Sequence, residues 1–384
     1  MTPKLPSDIR VAAPVLRWAR ESLRMPVGAA AHHMGVPGST LLAWEGEGGL
    51  FRLTQLEAMA KLYRRPVAVF FLAAPPSEPP LPADHRTLPS QEEHELSSQT
   101  IVAVRYAQRL QENARDLAES LGEEVAASIP SGTLGENPDV LASRLRLSLG
   151  ITAKEQASWR DDYLALRTWV DSVEKLGVLV LRQNMPLDET RAFSLPARPP
   201  VLVLSSKDKP RPRMFSLAHE LVHLSLGTSG ICDTRVGPYA SASQAIETFC
   251  NRAAGAVLVP ADDLVARKEV TGVGADEWTD EVLGQVASAF CVTLEVILRR
   301  LLIVGMTTDA FYQAKRSEWR QRPAPVARPG RAQGPVDACV QDHGRAFVRL
   351  VADANRRELV PDTAAADVLD VNVKHLDEIY AKAR

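Results

Sequence analysis

His219 and His223 stand one helical turn apart in the stretch FSLAHELVHLSLG, residues 215–227, with Glu220 between them. At helical pitch the two histidines share a face, and Glu220 is displaced by about 100° around the axis. Neutral imidazoles are good zinc ligands, so the pair is preorganised to share one ion. The adjacent carboxylate can take a proton from a water that the metal makes acidic. A catalytic zinc site uses three protein ligands and keeps one position open. The third is sought in SQAIETFCNRAAGAVLVP, residues 243–260, which has the pattern of an amphipathic helix ending at Pro260. Glu247 and Asn251 lie at i and i+4 on one face of it. Glu247 is the expected third ligand and Asn251 an expected hydrogen-bonding partner behind it.

Such side chains need a rigid frame. Upstream of the histidine helix, LGVLVLRQ (176–183) and PPVLVLSS (199–206) are aliphatic and β-branched, flanked by Gly and Pro, and predict strands of a small sheet. Downstream, residues 285–313 repeat apolar positions at helical spacing and are expected to close the same core. Residues 91–121 predict one long amphipathic helix, and 14–72 about five short helical segments. Proline-rich AAPPSEPPLPADHRTLPS (73–90) and basic RQRPAPVARPGRAQGP (320–335) interrupt the helices as linkers. His85, within the first of these, is read as exposed or packed, without a metal role. The expected organisation is a domain at 1–75, a connector at 76–159, a metal domain at 160–316, a tether at 317–336 and a C-terminal helical segment at 337–384. The fold class expected is α+β, predominantly helical.

Composition excludes several classes. With 384 residues and a formal net charge of -2, the chain has room for two or three domains and no bulk attraction to nucleic acid or membrane. The longest apolar run, VAVFFLAA at 67–74, is too short to span a bilayer. A soluble, cytoplasmic protein is expected, with no membrane partner. Its four cysteines include no C-x-x-C pair and read as reduced thiols.

A bare His-Glu-x-x-His pattern also arises by chance in long chains. Here RPRMFSLAHELVHLSLG (211–227), SGICD (229–233) and ETFCNRAAGAVLVP (247–260) together resemble the ImmA/IrrE-type zinc metallopeptidases, over roughly residues 160–315. The resemblance carries over His219, His223 and Glu247 as zinc ligands and Glu220 as general base, a gluzincin-like arrangement in a zincin-like domain. It implies an intracellular endopeptidase that cleaves a regulatory protein, commonly a repressor of stress or mobile-element genes. Cys232, nine residues after His223, could place a thiolate in the open metal position and hold the enzyme off. The competing reading is a small buried hydrophobe. Cys250 is expected in the core. Tyr239, Arg213 and Arg211 are near enough in sequence to serve the oxyanion, and spacing does not choose among them.

Residues 11–72 are similar to a Cro/repressor-type (XRE) helix-turn-helix domain, expected as a five-helix bundle. AAAHHMG would be the first motif helix and STLLAWEGE the second, the one that enters the major groove. Ser39, Thr40 and Ala43 would face DNA and Trp44 the core. Between Gly38 and Glu45 there is no Arg, Lys, Asn or Gln to read bases, although residues 1–75 carry nine basic against five acidic side chains, enough for some phosphate contact. Docking on a protein partner is therefore the competing reading. Residues 344–384 hold a second pattern of this type, with Lys374 and His375 on its second helix. The acidic Asp367, Asp370, Asp377 and Glu378 favour a protein contact or plain packing. A homodimer remains open, since no heptads enforce one. The alternative function is a transcription regulator whose metal domain senses zinc, redox state or a ligand without cutting.

Overall fold

Apolar residues spaced for helices become helices over most of the chain, and the two aliphatic runs become strands. The computed structural model describes residues 8–78, 81, 96–124, 126–228, 240–322 and 333–384. These form two compact units, one of described residues up to 81 with 96–106, the other from 107 onward. His85, Cys232, Tyr239 and most of the basic tether lie outside the described residues.

The N-terminal unit contains β1 (Ile9–Val11), α1 (Ala13–Glu21), α2 (Val27–Met34), α3 (Gly38–Glu47), β2 (Gly49–Phe51), α4 (Leu53–Tyr63), a 3-10 turn at Val67–Phe71 and the start of α5 (Ser98–Leu121). Gly35, at φ 65°, ends α2, and Pro37 caps the start of α3. The two motif segments are therefore helices joined by a tight turn. The fifth expected helix is only a 3-10 turn. An antiparallel ribbon of β1 and β2, with Ile9 opposite Phe51, was not expected. Three-residue strands are too short to show alternation. Trp44 is half-buried, edge-on to Phe51 at 4.9 Å. One position later, Glu45 is 2% exposed and grips Arg20, with Nε donating to Oε1 at 2.7 Å and Nη2 to Oε2 at 2.8 Å.

In the second unit follow α6 (Pro138–Leu149), α7 (Ala153–Ser158), α8 (Asp162–Lys175), β3 (Leu179–Gln183), β4 (Ala192–Leu195), β5 (Val201–Ser205), α9 (Pro210–Ser225) and α10 (Ala240–Leu258). Then come α11 (Ala261–Val265), α12 (Asp280–Phe290), α13 (Leu294–Ile303), α14 (Asp309–Arg320), α15 (Pro335–His343), α16 (Arg345–Arg356), α17 (Asp362–Val368) and α18 (Leu376–Ala383). The sheet order is β3-β5-β4, with β5 parallel to β3 and antiparallel to β4. Helix α9 is buried all round from Ser216 to Ser225, between α8, α10 and the β4–β5 edge of the sheet. A helix so enclosed should be apolar. Its ionisable His219, Glu220 and His223 are the exceptions that call for a reason.

The C-terminal segment packs on the same sheet. Helices α15 and α16 lie against β3, and Arg182 Nε donates to Asp342 Oδ1 at 2.8 Å. Gly344 joins the two helices at φ 75°, and a Cβ there would meet Val180 O at 2.4 Å, so only glycine fits. Lys374 and His375 sit in a 3-10 turn before α18, not on the expected helix, because Asn372 caps and tightens that turn.

Buried Glu174, on α8, accepts from the Ala346 amide at 3.1 Å. Burial pushes its carboxyl up to about 7 from 4.5, with the amide and Arg349 pulling the other way. The folded protein therefore keeps a proton that the unfolded chain has already released. This contribution is fully present below pH 4.5 and is lost as pH rises through 7. Glu174→Gln is expected to stabilise the protein at pH 8 by about 3 kcal/mol and to change little near pH 4.5. Urea unfolding of both proteins at the two pH values measures this.

Candidate metal centre

The two helices that carry the donor atoms are fixed at several points. Pro210 opens α9, and Arg211 Nε holds the Asp162 carboxylate at 2.9 and 3.0 Å. Arg213 donates to the carbonyls of Ser206 and Asp208 in the turn that leads in from β5. Both arginines are thus engaged as anchors. At the far end of α10, Arg146 takes the carbonyl of Val257, Gln156 that of Leu258 and Arg300 that of Val259. Helix C-termini leave such carbonyls without partners, and cations there also offset the helix dipole.

Between these anchors three side chains converge. His219 Nε2 lies 3.1 Å from His223 Nε2, Glu247 Oε2 is 3.3 Å from His219 Nε2, and Glu247 Oε1 is 3.2 Å from His223 Nε2. Ligands about 2.0–2.2 Å from a tetrahedral zinc are separated by about 3.3–3.5 Å. The two imidazole nitrogens lie near that spacing and each faces one oxygen of the Glu247 carboxylate, so the three side chains converge on a site the size of one ion, with one ligand atom from each within 4.8 Å of the others. Both histidines are buried, while the Glu247 side chain is 19% exposed and gives the centre its described opening. Burial raises the Glu247 carboxyl, but hydrogen bonds and charge from the two histidines outweigh it and hold the group well below the ordinary carboxylate range.

Glu220 is fully buried beside the triangle. Its Oε2 accepts from Ser194 Oγ on β4 at 3.0 Å, and its Oε1 has no hydrogen-bond partner among the described residues. On the other side His223 Nδ1 is 3.2 Å from Thr228 Oγ1, whose hydroxyl donates to the His223 carbonyl. With its proton on that carbonyl, Thr228 can only accept from Nδ1–H. The ring then presents an unprotonated Nε2 to a metal. Thr228→Val is expected to weaken zinc binding by about 10- to 100-fold, read by competition with a chromophoric chelator. Sequence reasoning missed both Ser194 and Thr228. The latter follows Gly227 directly, where the chain turns back at the helix end, and that position was a usable signal.

Of the remaining expected residues, Asn251 is partly exposed and makes no hydrogen bond with a described residue. Cys250 is buried in the core, as are Cys291 and Cys339. On α3, Ser39 and Ala43 are exposed and Thr40 is half-buried, around a Leu42 that is 54% exposed.

Two imidazoles one turn apart, a carboxylate from the next helix and a buried glutamate alongside define the centre of a metallopeptidase-type domain. The family model of the IrrE N-terminal-like domain, a peptidase family, matches residues 173–302, about a third of the chain, and includes all four residues. No curated protein and no solved structure matches the chain. Among the described residues no helix is long and apolar enough to cross a membrane.

Proposed function

We propose that the chain is a zinc-dependent intracellular endopeptidase that cleaves a regulatory protein of the repressor or antitoxin kind, in stress response or control of mobile elements. The observation that carries this is the donor triangle of His219, His223 and Glu247 with fully buried Glu220 at its side. Two nitrogens and one carboxylate converging on one point suit zinc, and leave one position for reaction. Zinc held there supplies Lewis acidity, polarising a peptide carbonyl and making water a nucleophile near neutral pH. Glu220 is the general base: its Oε1 takes the proton from the attacking water and passes it to the leaving amine. Helix α9, enclosed on all sides, keeps this carboxylate and the two imidazoles in fixed relation.

The N-terminal unit would bring the enzyme to its target, either on DNA through Ser39, Thr40 and Ala43 or by direct protein contact. Its charge favours protein contact. Among its basic side chains, Arg20 is tied to Glu45, Arg17 donates to the Glu45 carbonyl, and Arg65 pairs with Glu78. The test is to mix zinc-verified protein with the repressor-like proteins encoded beside its gene, with and without DNA, and to follow intact masses. A discrete, chelator-sensitive cut supports the reading. Full zinc with no cut under any condition would favour a regulator that senses through the same centre.

A further inference from the structure

We propose that Ser194 is the positioning residue for Glu220, holding one carboxylate oxygen so that the other is left to accept the proton. This rests on the peptidase reading above. Ser194 is fully buried, and its Oγ–H donates to Glu220 Oε2 at 3.0 Å. Glu220 lies on α9 and Ser194 on β4, so the bond joins the helix that carries the ligands to the strand beside it. Among the described residues no other hydrogen bond reaches the carboxylate, and Oε1 is buried without a partner. Without the serine, no hydrogen bond from a described residue would fix the rotation of a terminal carboxylate, which is broad and roughly two-fold.

The strand is itself held in register. Ser194 pairs with Leu202 on β5, and α9 packs against β4. Just past the strand, Gln111 Nε2 on α5 reaches the carbonyls of Leu195, Ala197 and Pro199 at 3.4, 2.9 and 2.7 Å. The hydroxyl is therefore presented from a backbone that cannot slide along α9. A one-residue slip would turn Ser194 to the other face of the sheet.

Acetohydroxamate is a probe of this arrangement that needs no peptide substrate, because a hydroxamic acid chelates zinc well only when a neighbouring base takes its proton. Its affinity is measured by calorimetry for zinc-loaded wild type, Ser194→Ala, Ser194→Thr, Glu220→Gln and Ser194→Ala with Glu220→Gln. Metal content and thermal unfolding are checked in each. Loss of a hydrogen bond to a charged group predicts an affinity about 10- to 100-fold weaker for Ser194→Ala at unchanged zinc. Partial recovery is expected in Ser194→Thr, which keeps the hydroxyl. In the Glu220→Gln background the serine change should have no further effect, since both act through one carboxylate. Wild-type affinity in Ser194→Ala, or an effect that adds in full to that of Glu220→Gln, overturns the proposal. If Glu220→Gln itself leaves affinity unchanged, the base assignment fails and the serine proposal with it. Failure confined to the serine variants leaves the peptidase reading standing.

Discussion

Replacing Glu220 with Gln is expected to leave one zinc per chain and to lower kcat/KM on a cleaved substrate by about a thousandfold. General acid–base catalysis contributes on the order of 10²- to 10⁴-fold, and a fully buried base belongs well inside that range. Gln keeps the volume and can still accept from Ser194, so packing of α9 is preserved. The lost function is proton acceptance at Oε1. Zinc content by atomic emission and turnover on the same sample decide the matter. A variant that loses its metal would mean that Glu220 is a ligand or a support for one. A variant that keeps both metal and activity would remove it from the chemistry.

The second large effect is expected at Glu247. Glu247→Ala leaves two imidazoles one turn apart, too few for a catalytic zinc site. The variant should elute free of zinc where the wild type retains it. Folding is linked to binding, so zinc at a thousandfold excess over its dissociation constant should stabilise the wild type by about 4 kcal/mol. The variant should gain nothing measurable. Thermal unfolding with and without chelator reads both. Equal zinc retention by wild type and variant would show that the third ligand comes from elsewhere in the chain.

The centre was legible in the sequence because its parts are local. His219, Glu220 and His223 lie within one turn and a half of a single helix, and Glu247 stands in a segment whose helical period is plain. The supporting residues were not legible, for reasons of range and length. Ser194 comes from a four-residue strand, too short to show a period, and meets Glu220 across 26 positions of sequence. Buried charges are illegible for another reason. Glu45 and Arg300 fall in helical patterns where a charge normally marks the wet face. Each is buried because its partner arrives from far along the chain, Arg20 for Glu45 and Asp139 for Arg300. Periodicity records what a side chain is and not what it will meet. In the C-terminal segment the helices were readable, but nothing in their pattern announced β3 as the surface they cover.

That last contact bears on how the protein can be cut for laboratory use. The family match stops at residue 302, and a fragment ending there would look like a complete catalytic unit. It would lack α15 and α16, and with them the partners of Arg182 and Glu174. β3 is an outer strand of the sheet, and stripped of its cover it would offer an unpaired backbone edge to other copies. Such a fragment should precipitate or form β-rich aggregates, and its insolubility would be mistaken for a fault of the metal centre.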